Sequence, residues 1–255
     1  MEKNRIVKLV THNIITPCYL FNSLDYEQDG NELIKNKKLR RFYSTGTKKG
    51  LISTRKALIS AKLDISDPKI RFGLYTTQYG YLHPLPSELL PEYGQIKASN
   101  TNNIFQTIWQ CERVNPFLIT LSLSNNLLGV LSQELKLQCD CASFLRGNLG
   151  LLSAFREAEL CLNNDLIDYA LVVASGIGSV TQDIHSGFSG SGVEFGVTFV
   201  LTRVGNQAPQ DNSHLIDITR LYQNYREGNY AAETILFIKD IADRIKSQKQ
   251  IETVI

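Results

Sequence analysis

The hydrophobic positions of this chain alternate between strand-like runs and helix-like spacings. Residues 6–15 are dense in β-branched side chains and precede Pro17, which predicts a buried first strand. From about residue 48 to residue 63 the apolar positions recur at helical spacing, and residues 70–75 then predict a second strand. Because a strand, a helix and a strand follow in this order, we expect a layered α/β domain with some parallel pairing.

The second half of the sequence continues this alternation. The most regular helical pattern covers residues 148–163, and residues 168–175 (DYALVVAS) read as a strand buried on both faces of a sheet. Weaker patterns predict six further features: a proline-containing surface connection at 82–103, a short helix at 104–111, an apolar run at 117–121, a helix from about 125 to 135, and strands at 137–145 and 197–201. The chain is expected to close with a polar loop at 205–214 and an amphipathic helix at 231–245.

Composition limits the class of protein. With 255 residues, 43 % hydrophobic and 20 % charged, the chain can bury a core in one domain, or in one domain with an appendage. The apolar runs are far shorter than the roughly 20 residues that a membrane-spanning helix requires. The first residues lack the pattern of a secretory signal. We therefore expect a cytoplasmic protein without a membrane span.

The cysteine spacing and the net charge of the sequence do not indicate a particular kind of functional site. The five cysteines are scattered, and Cys139 and Cys141 form a C-x-C without a second Cys or His pair nearby, so we expect no disulfide framework, no metal site and no cofactor. The net charge is +2 and carries no nucleic-acid signature. One basic cluster stands out and is either a solvated face or a contact for an acidic carrier protein or a phosphate: Lys35, Lys37, Lys38, Arg40 and Arg41.

Several motifs, taken in order, resemble the N-terminal half of β-ketoacyl synthases of the thiolase fold. They are RIVKLVTHNIITP, KIRFGLYTTQYG, NPFLITLSLSNNLLGVLSQELKL, RGNLGLLSAFREAELCLNNDLIDYALVVASG and SGSGVEFGVTFVLTR. The resemblance implies a thiolase-like α/β half-fold, a layered mixed sheet with helices on both faces. It implies a ketosynthase-like domain over residues 1–204, followed by a loop and amphipathic helix extension over 205–255.

The resemblance also places the family's catalytic cysteine. Counting without gaps back from Asp168 and forward from Leu135 reaches Asn148 in both directions. Condensation needs a thiolate, and an asparagine amide cannot be that nucleophile. The Asn148 amide could instead bond a backbone group or a growing chain, or cap the helix. Cys141 precedes this position, in the expected edge strand, and could serve only after a register slip.

Besides Asn148 at the position of the catalytic cysteine, the sequence differs from the family in a second respect, the half of the fold that supplies the catalytic histidines. The resemblance closes near residue 204 and the sequence ends at residue 255, so that half is not expected here. The four histidines match none of the family's histidine motifs and fit surface or core roles: His12, His83, His185 and His214.

Within this family, chain-length factors are silent partners that pair with an active ketosynthase and wall off its acyl tunnel. We therefore hypothesise a shortened chain-length-factor-like subunit, acting with an acyl carrier protein in fatty acid, polyketide or aryl polyene synthesis. Its interface would use residues 137–146 as an edge strand and the helix at 149–162. The candidate interface and tunnel residues, several of which could equally be ordinary core, are Cys139, Cys141, Phe144, Arg146, Asn148, Leu149, Leu152 and Phe155.

The partners implied by this hypothesis are a full-length β-ketoacyl synthase subunit and an acyl carrier protein. The carrier would dock through Lys37, Lys38, Arg40 and Arg41. A half-fold with an open strand edge is expected to behave poorly when it is expressed alone.

Two rival hypotheses stay open. The first is a stand-alone acyltransferase or thioesterase that uses Cys139, Cys141 or a serine of SGFSGSG, where Ser189 and Ser191 lie near His185, although that segment lacks the strand-then-helix setting of a nucleophile elbow. The second is a carrier-binding scaffold without a tunnel role.

Overall fold

The computed structural model describes residues 5–16, 30–80, 123–144, 147–182, 192–206 and 214–252. Six strands form one mixed sheet in the order β3-β2-β4-β5-β1-β6. Their bounds are Ile6–Ile15 (β1), Phe72–Tyr79 (β2), Asp140–Ser143 (β3), Tyr169–Gly178 (β4), Val193–Thr202 (β5) and His214–Asp217 (β6). The features predicted at 82–103, 104–111 and 117–121 lie outside the described residues.

The sheet is parallel on one side and antiparallel on the other. β2 pairs in parallel with both β3 and β4, while β4–β5, β5–β1 and β1–β6 are antiparallel. β4 lies inside the sheet and is buried along nearly its whole length. Its unbroken apolar sequence matches this position, because both of its faces are covered by helices.

In the described part of the chain, five α-helices cover the two faces of the sheet. They are Thr47–Ala61 (α1), Asn126–Leu135 (α2), Gly147–Asn163 (α3), Ile218–Glu227 (α4) and Leu236–Glu252 (α5). One core cluster joins α1 and α2 to alternate positions of the strands, such as Leu74 and Leu171. The other joins α3, α4 and α5 to the intervening positions, such as Tyr75 and Val172. The period of two along each strand therefore separates two cores, and the predicted mixed sheet with helices on both faces is confirmed.

The C-terminal region is part of this layered structure. β6 extends the sheet by pairing with β1, and α4 begins directly after it, capped by the Asp217 carboxylate, which accepts the main-chain N–H groups of Thr219 and Arg220 at 2.9 and 3.2 Å. α5 then packs onto the same core as α3 with five buried side chains: Phe237, Ile238, Ile241, Ala242 and Ile245. α4 and the buried positions of α5 thus cover the α3 face of the sheet, while the predicted domain boundary at residue 204 stays a prediction.

Most predicted elements are present, with shifted ends. The strand predicted at 137–145 is reduced to four residues, and the last helix begins at Leu236 instead of near residue 231. The sequence patterns missed β6 and α4, which lie partly in the predicted polar loop and beyond it, and the short 3₁₀ helices Gly30–Leu33 and Lys37–Phe42. Within the described ranges, no helix combines the length and apolarity needed to cross a membrane.

Candidate functional site

The start of α3 lies beside the carboxyl end of β2. The Phe144 main-chain N–H, just after β3, donates to the Thr76 carbonyl at 2.9 Å and so directs the chain along β2 towards α3. At the start of α3, the Tyr79 hydroxyl donates to the Asn148 side-chain oxygen Oδ1 at 2.6 Å. The position that the resemblance assigns to the nucleophile is therefore anchored to the sheet by a tyrosine.

Asn148 is fully buried and its polar groups are engaged. Its side-chain Nδ2 donates to the Ala231 carbonyl at 2.6 Å, and its main-chain N–H donates to the Ala232 carbonyl. Of the roles that the sequence left open, the structure shows an amide bonded to a backbone group and to a tyrosine. A neutral amide in this arrangement positions other groups and cannot accept an acyl group.

The two carbonyls that Asn148 binds belong to residues 231–235, which we name the strap. At its other end the strap is bonded to Ser179, directly after β4: Ser179 donates to the Glu233 carbonyl at 2.9 Å, and Ile235 donates to the Ser179 carbonyl at 3.0 Å. The Thr234 hydroxyl adds a bond to the same Ser179 carbonyl at 3.1 Å. The strap therefore runs from the end of β4 across the first turn of α3.

Glycine permits this close approach at two positions. Gly147 has a φ of +79°, which glycine adopts readily, and a Cβ at this position would collide with the Ala232 carbonyl. A Cβ at Gly178 would collide with the Ile235 side chain. The glycines at the start of α3 and at the end of β4 thus make room for the strap.

Tyr79 is held as a neutral phenol. It is fully buried and its ring meets that of Phe195 edge to face, with centroids 4.9 Å apart. Burial, followed by the proximity of Tyr225 and Glu233, raises the pKa of Tyr79 well above its ordinary value. The hydroxyl therefore remains a hydrogen-bond donor to Asn148 at physiological pH.

β3 forms one edge of the sheet, as the sequence predicted for this segment. Cys141 on this strand is exposed, whereas Cys139 just before it is half-buried, and burial raises the pKa of Cys139 to about 11. The carboxylate of Asp140 ties the strand to the core, because it accepts the Tyr75 hydroxyl at 2.6 Å and faces the Cys161 thiol at 3.6 Å. The edge strand is short but firmly positioned.

The predicted interface residues divide into two groups. Leu152 and Phe155 are fully buried in the core against the sheet, where the Phe155 and Phe199 rings lie 5.1 Å apart. Phe144 packs on the margin of this core, and Leu149 is 50 % exposed. Arg146 lies outside the described residues. Leu149 is therefore accessible at the start of α3, Phe144 is partly buried against the core, and Leu152 and Phe155 are enclosed within it.

The basic cluster lies on the opposite face of the sheet from α3. Lys37–Phe42 form a short 3₁₀ helix whose Leu39 is buried, and the cluster residues are all exposed: Lys35, Lys37, Lys38, Arg40 and Arg41. A groove of about 270 Å³ adjoins this helix, lined by Leu39, Phe42, Leu123 and Val130 among others. The cluster is therefore open to solvent.

The residues of the rival enzyme hypothesis are only partly described. Ser189, Ser191 and His185 lie outside the described residues. Cys139 and Cys141 lie at the β3 edge, and β3 is separated from the two described histidines, His12 and His214, by the inner strands of the sheet. Within the described residues, the structure therefore gives these thiols no histidine to act as general base.

Sequence reasoning identified Asn148 but missed its partners. Tyr79 lies beyond the strand predicted at 70–75 and was assigned no role, and the strap carries no motif beyond two small residues and a threonine. Tyr79 and Ala231 are 69 and 83 positions away from Asn148 in the sequence, so no local pattern links them.

No protein family model matches the sequence, and no curated protein matches it. Solved structures do share its fold. One is a chain of the AntDE:AntF complex, a type II polyketide synthase acyl-carrier protein in complex with its ketosynthase bound to the hexaketide, at 14 % identity and a TM-score of 0.56, covering 79 % of this chain and 64 % of that one.

A second similar structure is a chain of the ishigamide ketosynthase/chain length factor, at 13 % identity and a TM-score of 0.51, covering 79 % of this chain and 59 % of that one. The chain thus matches less than two thirds of the length of either. At these identities the similarity concerns the fold. The chain has the thiolase-like fold of ketosynthase and chain-length-factor subunits that its sequence predicts.

Proposed function

We propose that this chain is a catalytically silent ketosynthase-like subunit that pairs with an active β-ketoacyl synthase and shapes its acyl tunnel. The observation that carries the proposal is Asn148. In a chain with this fold, the position that the resemblance gives to the nucleophile holds a fully buried, hydrogen-bonded amide. An amide cannot form the thioester on which condensation depends, so the remaining contribution is to pair with a catalytic subunit.

The β3 edge supports the place of pairing. Among the described strands, β3 is the last at one end of the sheet, and an open edge pairs readily with a strand of another chain. Next to it, the exposed side of α3 carries two apolar side chains, Leu149 at 50 % and Leu160 at 41 % exposure. A strand edge beside exposed leucines provides both main-chain hydrogen bonds and apolar area for a partner.

Residues at the margin of the β3 edge and the exposed side of α3 would shape the acyl tunnel. Leu149 is half-exposed and Phe144 is only partly buried, so they are the residues that could limit the length of an acyl chain held at the interface. Leu152 and Phe155 support them from the core of this chain.

An acyl carrier protein is the second proposed partner. Lys37, Lys38, Arg40 and Arg41 project from an ordered turn, and clustered exposed cations attract an acidic protein through complementary potentials. The catalytic ketosynthase subunit would determine whether the product is a fatty acyl chain, a polyketide or an aryl polyene.

Co-expression with the ketosynthase encoded nearest to this chain tests the proposal. Size-exclusion chromatography with mass determination is expected to give a one-to-one complex. Cys141→Asp places a charge at the β3 edge and is expected to abolish the complex. Leu215→Asp is the matched control, because Leu215 is 55 % exposed on β6 at the opposite edge of the sheet. A complex that survives Cys141→Asp, or no complex at all, contradicts the proposed pairing.

A further inference from the structure

The main-chain N–H at the start of a helix is a natural binding position for a carbonyl or oxyanion, because it lacks an intrahelical partner and lies at the positive end of the helix dipole. In α3 this position belongs to Asn148, and the chain's own Ala232 carbonyl occupies it. The Ala231 carbonyl is bound by the side chain of the same residue at 2.6 Å. One residue thus holds two successive carbonyls of the strap.

Asparagine is the residue type that fits this arrangement. The Ala231 carbonyl can only accept, so the group facing it must be a donor, and the Tyr79 hydroxyl requires an acceptor on the other side. An aspartate would lack the donor. A cysteine offers one weak group in place of two and is too short to reach both partners.

We infer that Asn148 is a clamp that fastens the strap over the start of α3, so that residues 231–232 occupy the place where a thioester carbonyl could otherwise bind. The Asn148 amide then positions the strap, and residues 231–232 of the strap close the site at the start of α3. The far end of the strap is held separately, through Thr234 and Ile235 to the Ser179 carbonyl. Because the inference concerns contacts within this chain, it does not depend on the proposed partner.

Hydrogen exchange, followed by peptide mass spectrometry, tests the clamp. In the unmodified chain, two main-chain N–H groups are expected to be protected from exchange: that of Ser179, which donates to the Glu233 carbonyl, and that of Ile235, which donates to the Ser179 carbonyl. Asn148→Ala removes the side-chain bond to Ala231 and is expected to speed exchange in the strap by about tenfold.

The matched control is Asn163→Ala at the other end of α3, whose side chain bonds Glu159 at 2.9 Å and is expected to leave strap exchange unchanged. Equal strap exchange in the folded Asn148→Ala variant and in the control would overturn the inference.

A second variant keeps the test decisive if Asn148→Ala does not fold. Thr234→Val removes one of the strap's three hydrogen bonds to Ser179 without touching α3, and it is expected to speed exchange in the strap while β4 and β5 stay protected. Thr202→Val is its control, since the buried Thr202 hydroxyl likewise donates to a carbonyl, that of Asp168 at 2.8 Å, but far from the strap. If the strap exchanges only together with β4 and β5, it is not a separately fastened segment and the inference is wrong.

Discussion

The Tyr79 hydroxyl lies 2.6 Å from the Asn148 side-chain oxygen, and this one bond joins the end of β2 to the start of α3. Both residues are fully buried, so neither group can find water if the other is removed. Loss of this bond is therefore expected to lower the stability of the fold as well as to change the position of Asn148.

Tyr79→Phe is expected to destabilise the fold. It leaves the Asn148 oxygen buried without its donor, which costs about 1–3 kcal/mol of unfolding free energy. Tyr169→Phe is the control, because the Tyr169 hydroxyl makes no hydrogen bond within the described part of the chain. Chemical denaturation of both variants measures the difference, and equal losses would contradict the assigned bond.

Asn148→Cys is not expected to restore condensation. The strap covers the start of α3, and the Ala232 carbonyl already holds the Asn148 main-chain N–H. Incubation of this variant with acyl-carrier thioesters, followed by mass determination of the intact chain, is expected to show no acyl adduct at position 148. An adduct there, absent from the parent chain, would show that the site is open.

The three described thiols are expected to react in a fixed order. Exposed Cys141 should be alkylated first, half-buried Cys139 later and buried Cys161 last. With its pKa raised to about 11, Cys139 is expected to react about tenfold faster for each pH unit between pH 8 and pH 10, because only the thiolate attacks. Peptide mapping after timed iodoacetamide treatment measures each rate, and a pH-independent Cys139 rate would contradict its burial.

The ion pairs at the start of β2 and β4 predict an acid dependence of stability. The Arg71 side chain donates to Asp168 at 2.8 Å, and this bond lowers the pKa of Asp168 below its ordinary 3.8. A lowered carboxyl pKa contributes stability above pH 3.8 and loses it as the pH falls through the lowered value.

Asp168→Asn should therefore be less stable than the parent chain at pH 7, by less than about 1 kcal/mol because the pair is largely exposed. Its thermal midpoint is expected to converge with that of the parent chain below pH 3. A constant difference across this range would contradict the assignment.

Two residues of the predicted interface should behave differently when truncated. Phe155→Ala opens a cavity against Phe199 and is expected to cost about 3–5 kcal/mol of unfolding free energy. Leu149→Ala, half-exposed at the start of α3, is expected to cost well under this amount. Denaturant unfolding of the isolated chain distinguishes them, and a neutral Phe155→Ala would contradict its place in the core.

How far the sequence predicts this fold depends on the length of each pattern. α1, α3 and β4 were predicted because their apolar positions repeat over many residues of one segment. β6 was missed because its four residues bury only His214 and Ile216, and α4 was missed because, of its ten residues, only Ile218 and Leu221 are buried. Both form because β1 and the α3 core are already present to receive them.

The site was predictable in part for the same reason. Asn148 was found by counting along the resemblance, but its partners come from the end of β2 and from residues 231–232, which approach it only in the folded chain. Likewise, the sequence treated Leu149, Leu152 and Phe155 as equivalent, and only the packing of α3 on the sheet separates the exposed residue from the buried ones.

The most direct test of the silent-partner proposal is a condensation assay on the reconstituted complex with the ketosynthase and acyl carrier protein, read by mass spectrometry of the product and of both subunits. We expect the acyl group to load on the ketosynthase alone. Turnover should persist with Cys141→Ala in this chain, and product length should change with Phe144→Ala. An acyl adduct on Cys141 of this chain, with turnover lost in Cys141→Ala, would contradict the proposal and identify the chain as an enzyme in its own right.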